Sequence, residues 1–217
     1  MTTATQHQFP LTGRMRSLEV RWILPGQLEP AMAGWFARFP ARVESREDSY
    51  LANPPLRGLS VKRRAGRVLE VKAYQGSPGI LEVAGRARGQ LEVWDKWSFP
   101  CDPPGPGGAG RPGWCPVRNL IRRFALASGH HGVGVPRPGE QVECQAELTE
   151  VRAGGRAWWT LALEATGPTP PLRAELQATA ALLFAQVLPD GVELGTDHSQ
   201  SYAQWLTSCW APGNAHT

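Results

Sequence analysis

Apolar and polar residues alternate along most of the chain, and the pattern is clearest in the segment LEVRWIL at residues 18–24. There the even-numbered positions are all apolar, whereas Glu19 and Arg21 share the other face with Ile23. Because successive side chains of a strand point to opposite faces, this alternation predicts a half-buried β-strand. Two interpretations of the polar face stay open: Glu19 and Arg21 either face water or line a cavity.

Seven further segments show strand-type patterns and are separated by glycine, proline and polar turns. They are ARVESREDSYLA (41–52), GLSVKRR (58–64), RVLEVKAY (67–74), GQLEVWDKWSF (89–99), PVRNLIRRFAL (116–126), QVECQAELTEV (141–151) and RAWWTLALEAT (156–166). The short links RAG, RAGG and GRARG are typical of hairpin connections. The sequence therefore predicts a mainly β (α+β) protein whose seven or eight antiparallel strands follow one another as a meander.

Two segments carry apolar residues at helical spacing and are bounded by proline, at residues 28–39 and 170–188. We expect both helices to cover the apolar face of the strands, which leaves the polar face free to enclose a lumen. A single barrel domain with its closing helix is predicted over residues 17–188. A flexible N-terminal tail precedes it at 1–16, and a C-terminal tail follows at 189–217, where aromatic side chains serve as anchors.

Composition narrows the class of protein. With 217 residues and 41% hydrophobic content, the chain is long enough for one domain with a substantial core. The net charge of +4 is well short of the basic stripe of a duplex-binding protein, so nucleic acid is not expected as a partner. Apolar runs are far shorter than the roughly 20 residues that span a bilayer, and the N-terminus lacks a signal-peptide core. We therefore expect a cytoplasmic protein without a membrane partner.

The four cysteines lack the paired spacing of zinc sites. Cys101 and Cys115 bracket the loop at 100–116, where a disulfide and two free thiols are alternatives, and a reducing cytosol favours free thiols. The glycine and proline content of this loop excludes a regular element across it, and a flexible flap is predicted.

Charged residues on the predicted polar faces are segregated by sign along the chain. Basic residues dominate between positions 57 and 74, whereas acidic residues dominate between positions 140 and 164. Phosphate oxygens bind to Lys and Arg, while magnesium prefers carboxylate oxygens. A basic wall facing an acidic wall is therefore suited to a polyphosphate and its metal ion, and this division favours a charged lumen over a solvated face.

The segment SREDSYLANPPLRGLSVKRRAGRVLEVKA at residues 45–73 resembles part of the CYTH, or triphosphate-tunnel, proteins. In that family an aspartate-containing strand precedes a strand of alternating basic residues, a glycine hairpin and a strand ending in lysine. The family includes inorganic triphosphatases, thiamine triphosphatases and class IV adenylyl cyclases. The resemblance implies an eight-stranded antiparallel tunnel-like barrel with a few packing helices, in which Lys62, Arg64 and Lys72 bind phosphate oxygens close to Asp48.

The first strand departs from the family pattern. Members that turn over triphosphates carry an ExExK motif there, whereas this chain has Glu19, Arg21 and Ile23 at those places. The resemblance implies catalytic roles for Glu19, Lys62, Arg64 and Lys72, and Mg²⁺ or Mn²⁺ held by Glu19, Glu147 and Glu164. The residues expected to bind substrate are Arg21, Lys62, Arg64, Lys72, Lys96, Arg118 and Arg122.

Three functional hypotheses remain. The first is a divalent-metal-dependent triphosphatase, and the second is a noncatalytic module that binds a phosphate-rich anion or nucleotide after losing the metal site. The third is an ordinary barrel with an apolar interior that takes part in a protein complex. Packing of Val20, Val61 and Val71 together inside the barrel would indicate the third.

Overall fold

The computed structural model describes residues 12–52, 58–83, 85–101, 113–127 and 142–209. These ranges contain the strands β1 (Thr12–Pro25), β2 (Arg42–Leu51), β3 (Leu59–Arg64), β4 (Val68–Gly76), β5 (Ile80–Val83), β6 (Ala87–Gln90), β7 (Glu92–Pro100), β8 (Trp114–Ala127), β9 (Glu143–Ala153) and β10 (Arg156–Thr166). They also contain the helices α1 (Pro30–Phe36), α2 (Thr169–Leu183) and α3 (Tyr202–Cys209), with a 3-10 turn at Thr196–His198. No helix in these ranges has both the length and the apolar character needed to cross a membrane.

Eight strands form a closed antiparallel barrel in the order β1-β10-β9-β8-β2-β3-β4-β7, while β5 and β6 form a separate hairpin. The predicted eight-stranded barrel with a few helices is confirmed. The meander is wrong, because β1 lies between β7 and β10, and β2 lies beside β8. Strand neighbours are set by long-range hydrogen bonds, which the order of patterns along a chain does not reveal.

β1 closes the barrel by pairing with β10 along its C-terminal half and with β7 along its N-terminal half. It begins within the segment 1–16 that the sequence assigns to a tail. The N-terminal part of β1 lacks apolar alternation, and ion pairs hold it to the barrel. Arg14 and Arg16 lie 2.7 and 3.0 Å from the carboxylate of Asp95 on β7.

The main hydrophobic core lies outside the barrel. Leu18, Val20 and Trp22 on β1 are buried there together with side chains of both α1 and α2. The two helices thus cover the apolar face of the strands, as the sequence predicts, although α1 is shorter than the segment 28–39. Because Val20 faces this outer core, the hypothesis of an apolar barrel interior is wrong for this part of β1.

Two predicted hairpin links form tight turns with positive φ at both central residues. The angles are 47° and 70° at Ala65 and Gly66, and 54° and 75° at Gly154 and Gly155. Such turns match the twist of paired strands and join β3 to β4 and β9 to β10. The single strand expected over 89–99 is interrupted, because β6 ends at Gln90 and β7 begins at Glu92.

One end of the barrel is filled by an apolar plug, defined as the inward-facing side chains there together with α3. Its members are Ile23, Tyr50, Ala52, Cys115, Val117, Val151, Ala153, Trp205 and Leu206. Trp205 is 1% exposed, so α3 is a packed element within the segment predicted as a tail. Cys101 and Cys115 are not joined in a disulfide, as predicted. The predicted flap falls mostly at 102–112, outside the described residues, and β8 begins at Trp114.

Candidate functional site

Beyond the plug, the barrel interior is a polar cavity lined by all eight of its strands and by the start of α3. It encloses about 850 Å³ of space outside protein atoms, part of which is continuous with solvent. Its lining residues are Glu19, Arg21, Arg46, Asp48, Tyr50, Ser60, Lys62, Arg64, Glu70, Lys72, Glu92, Lys96, Asn119, Ile121, Arg123, Glu147, Thr149, Glu164, Ser201, Tyr202 and Ala203.

Glu19 and Arg21 therefore line a cavity, which answers the question raised by the first strand. The described lining residues include seven basic and six acidic side chains. Four of the basic ones form what we call the cation wall, namely Lys62, Arg64, Lys72 and Lys96 on β3, β4 and β7. The chain contains three lysines in all, and each of them belongs to this wall.

On the carboxylate side, Glu19 and Glu164 are directly opposite each other on β1 and β10. Both contact Lys72, whose Nζ lies 2.5 Å from Glu19 Oε1 and 3.3 Å from Glu164 Oε1. Burial lowers the pKa of Lys72, but the charges of Glu164 and Glu19 outweigh this and raise it overall. The pKa of Glu164 is correspondingly depressed, since Lys72 and Lys96 outweigh its burial. Lys72 thus bridges two carboxylates as a fixed cation.

Glu147 on β9 is held by two guanidinium groups. Its Oε2 lies 2.6 Å from Arg123 Nη2, and its Oε1 lies 3.5 Å from Arg21 Nη1. Burial would raise the pKa of Glu147, yet Arg21 and Arg123 lower it to about 2. Arg21 also donates a hydrogen bond to Thr160 and lies 4.7 Å from the ring centre of Tyr202.

Within the cation wall, Glu70 accepts two ion pairs. Its Oε2 lies 3.1 Å from Lys62 Nζ, and its Oε1 lies 2.9 Å from Arg64 Nη2. Burial raises the pKa of Glu70, but Lys62 and Arg64 lower it overall. Burial also lowers the pKa of Lys62, whose other carboxylate neighbour is Asp48 at 3.8 Å.

Lys96 differs from the other members of the wall, because it makes no ion pair with any residue that the structure describes. It lies directly opposite Lys72 in the pairing of β4 with β7. Burial is the main cause that lowers the pKa of Lys96; the negative charges of Glu164 and Glu70 oppose this shift, while the positive charges of Lys72 and Arg64 add to it. The ammonium of Lys96 is half-buried and has no carboxylate within ion-pair distance among the described residues, so it is available to contact an anion.

Glu92 on β7 is paired in register with Glu19 and accepts a hydrogen bond from Trp94 Nε1 at 3.0 Å. Burial raises the pKa of Glu92 to about 7, although the Trp94 hydrogen bond opposes the shift, and the negative charge of Glu19 adds to it. Near neutral pH the carboxyl group of Glu92 is therefore about half protonated.

The three residues proposed as metal ligands do not all contact the same cation. Glu19 and Glu164 share Lys72, whereas Glu147 contacts Arg21 and Arg123. In the part of the chain that the structure describes, no group of three or more His, Cys, Asp or Glu residues is placed to hold a metal ion. The binding of Mg²⁺ or Mn²⁺ by Glu19, Glu147 and Glu164 therefore stays a prediction.

Eight of the ten predicted site residues line the cavity, although their roles stay predictions. They are Glu19, Arg21, Lys62, Arg64, Lys72, Lys96, Glu147 and Glu164. Arg118 and Arg122 lie on the outer face of β8, where they contact Glu47 at 3.1 Å and Glu150 at 2.9 Å. These two arginines alternate with the inward residues Asn119, Ile121 and Arg123, so the structure places them outside the cavity.

Alternation does not identify some of the other lining residues. It does not identify Arg123, because β8 carries apolar and polar residues on both faces and the pattern does not show which face is the interior. Its position opposite Glu147 would have identified it, had the strand pairing been known. Tyr202 lies on α3 within the predicted tail and stacks on Tyr50, with ring centres 5.4 Å apart. The aromatic residues of the predicted tail were the sequence signal that this segment packs against the barrel.

No protein-family model matches this chain, and no curated protein matches it. The class that the fold and site define is an antiparallel β-barrel with a charged interior cavity, plugged at one end by apolar side chains. The resemblance to CYTH proteins stays a prediction that rests on the residues quoted for it.

Proposed function

We propose that the cavity binds a small phosphate-rich anion such as tripolyphosphate, whose phosphate oxygens contact the cation wall. The observation that carries this proposal is the position of the three lysines. A chain with 23 basic residues has only three lysines, and all of them face one cavity together with Arg64. A lysine ammonium is a compact charge on a flexible stem, which suits phosphate oxygens at several positions along a chain anion.

Stability alone does not explain so many charges inside a barrel. Removing charged groups from water is expensive, and apolar replacements of buried ion pairs are often neutral or stabilising. The apolar plug at the other end of the same barrel illustrates the alternative, because its inward positions pack without charge. Retention of seven buried or half-buried cations in the cavity therefore supports a ligand-binding role.

The ion pairs favour binding without a metal. Arg21 lies where the ExExK pattern has its second glutamate, and it neutralises Glu147 directly. Lys72 similarly neutralises Glu19 and Glu164. A ligand anion would thus meet a cavity whose carboxylates already have cationic partners, so we expect Mg²⁺ or Mn²⁺ not to be required for binding.

Hydrolysis of the bound anion is a second candidate, and one observation favours it. Glu19 and Glu164 converge on the single Nζ of Lys72, so two carboxylates already surround one point of positive charge. A divalent ion arriving with the ligand would find these oxygens if Lys72 moved to the phosphates. Phosphate release in the presence of Mg²⁺ or Mn²⁺ would support this candidate.

We also propose a cytoplasmic location. Cys101 and Cys144 are free thiols, which is the usual state of cysteine in a reducing compartment. The phosphate-rich ligand proposed for the cavity would be encountered in the same compartment as nucleotides. Fractionation of cells that produce the tagged protein would test this location.

The proposal is tested by titrating tripolyphosphate into the protein in a calorimeter, with Mg²⁺ and with a chelator. We expect binding in both conditions and at least about tenfold weaker binding by Lys96→Ala, because this variant removes a wall cation that has no ion pair with any described residue. Arg118→Ala is the matched control, since it removes one positive charge from the outer face.

A footprint of the lysines gives an independent readout. Apart from the N-terminal amine, an amine-acylating reagent can modify only Lys62, Lys72 and Lys96. Mass spectrometry should show that tripolyphosphate slows acylation of these residues but not of the N-terminus. The absence of both binding and lysine protection would refute the proposed function.

A further inference from the structure

We propose that Glu70 is an internal competitor of the ligand, which occupies the phosphate-binding cations of the empty cavity and lowers its affinity for anions. This inference rests on the proposed function and concerns the regulation of the same site. Its starting point is the position of Glu70, a carboxylate that lies inside the cation wall and is 3% exposed.

Glu70 holds the donors that a phosphate group would need. Its Oε2 lies 3.1 Å from the ammonium nitrogen of Lys62, and its Oε1 lies 2.9 Å from a guanidinium nitrogen of Arg64. Charge-assisted bonds to lysine and arginine are the interactions by which proteins bind phosphate oxygens. An anion that reaches Lys62 and Arg64 must therefore displace the carboxylate of Glu70 or share its partners.

The surroundings of Glu70 make displacement feasible. Glu70 Oε2 is buried and lacks a well-oriented hydrogen bond among the described residues, so its contact with Lys62 is mainly electrostatic. On the neighbouring strand Glu70 faces Ser98 across the β4–β7 pairing. Lys62 and Arg64 hold the carboxylate through side-chain contacts, so its release needs no change in the backbone pairing.

Lys96 explains how binding would begin. Its ammonium lies in the same wall without an ion pair to the described residues, while Lys62 and Arg64 are neutralised by Glu70. An entering anion would first contact Lys96 and would then compete with Glu70 for the other two cations. The same carboxylate stabilises the wall, because the neighbouring positive charges of Lys62 and Arg64 would otherwise repel each other.

The test compares the affinity of tripolyphosphate for the wild-type protein and for Glu70→Gln. Glutamine has nearly the same shape and no charge, so we expect binding at least about tenfold tighter, equivalent to about 1.4 kcal/mol. Glu150→Gln is the matched control: it removes one negative charge and one arginine ion pair, but on the outer face of the barrel. We expect its affinity to equal that of the wild type.

A purely structural role for Glu70 predicts the opposite result. Loss of its ion pairs would then loosen the wall, and Glu70→Gln would bind equally well or more weakly. That outcome, with binding by the wild type intact, would overturn this inference and leave the proposed function standing. If neither the wild type nor Glu70→Gln binds tripolyphosphate, the proposed function fails, and the internal competitor fails with it.

Glu70→Asp keeps the inference falsifiable if the glutamine variant does not fold. Aspartate retains the charge but is shorter by one methylene, so it should bind Lys62 and Arg64 less closely and give an affinity between those of wild type and Glu70→Gln. The thermal unfolding midpoint of each variant, measured with and without ligand, separates folding from binding. Weaker binding by a folded Glu70→Asp would count against the competitor.

Discussion

Arg21 shows how one side chain alters the chemistry that a strand can support. Its guanidinium contacts Glu147, donates to Thr160 and lies over the ring of Tyr202. A carboxylate at this place would add a negative charge beside Glu147, whereas the guanidinium neutralises that residue. Ile23, two residues further on, faces the apolar plug, so the place of the motif's lysine lies outside the polar cavity.

Glu92 gives the clearest pH dependence at the scale of a single residue. Its pKa is raised by burial to about 7 in the folded protein, against an ordinary value of 4.5. Between these values the unfolded chain loses the proton while the folded protein keeps it, so this residue makes stability fall as the pH rises. Above pH 7 the cost is about 3 kcal/mol.

We therefore expect Glu92→Gln to be more stable than the wild type at pH 8.5 and nearly equal to it at pH 4.5. The glutamine carbonyl can still accept the hydrogen bond of Trp94 Nε1. Urea denaturation at both pH values measures the difference. Glu82→Gln, at an exposed position on β5, is the control and should show no such pH dependence. A constant difference between wild type and Glu92→Gln at the two pH values would contradict the raised pKa.

At the scale of elements, the β5–β6 hairpin depends on a close approach to β1. A Cβ added at Gly89 would lie 2.6 Å from Val20 Cγ2 and 2.7 Å from the Trp22 ring. Trp22 also donates its indole N–H to the carbonyl of Arg88. The glycine is thus required because the hairpin packs directly on the outer face of the barrel.

Gly89→Ala should therefore destabilise the protein by about 1–3 kcal/mol, the usual cost of overpacking. Gly34→Ala on α1 is the matched control, because Gly34 is exposed and nothing lies within 4 Å of its added Cβ. A helical glycine replaced by alanine typically gains about 0.5–1 kcal/mol. The unfolding midpoint, measured by heat and by denaturant, should therefore fall for Gly89→Ala and rise for Gly34→Ala. Equal shifts of the midpoint in the two variants would contradict the hairpin packing.

For the whole molecule, the balance of charge inside the barrel governs acid stability. Burial opposes ionisation of Glu147, but Arg21 and Arg123 lower its pKa to about 2, and the pKa values of Glu164 and Glu70 are lowered by neighbouring cations as well. For groups whose pKa falls on folding, the stabilisation is present above the unfolded value and is lost as the pH drops towards the folded value.

We expect stability to decline as the pH falls from about 4.5 towards 2, because protonated carboxyls leave the cavity cations to repel one another. Glu147→Gln should cost about 3 kcal/mol at pH 7, and this cost should shrink across the same window. Urea denaturation at pH 7, 5 and 3 measures it, with Glu150→Gln on the outer face as the control. A cost for Glu147→Gln that does not change with pH would show that Glu147 is not held by charge.

Local alternation determined much of this protein. The barrel strands β2, β3, β4, β7, β8, β9 and β10, the turns at Gly66 and Gly155, and the two covering helices follow from side-chain periodicity and turn chemistry. These signals are readable because each depends on residues that are close in sequence. They also placed Lys62, Arg64 and Lys72 on one face, since alternation within a hairpin is preserved across its tight turn.

Tertiary structure decided which groups meet and which face is the interior. On β8, Arg122 and Arg123 are adjacent and equally charged, and only the pairing of Arg123 with Glu147 determines which one enters the cavity. In the same way, α3 had no strong pattern of its own, yet Trp205 is buried against Trp158 at the plugged end. The contacts of Lys72 with Glu19 and Glu164, and of Arg21 with Glu147, join strands that are distant in sequence. Such pairs form only when the barrel closes, because the hydrogen bonds that set strand order act across space rather than along the chain.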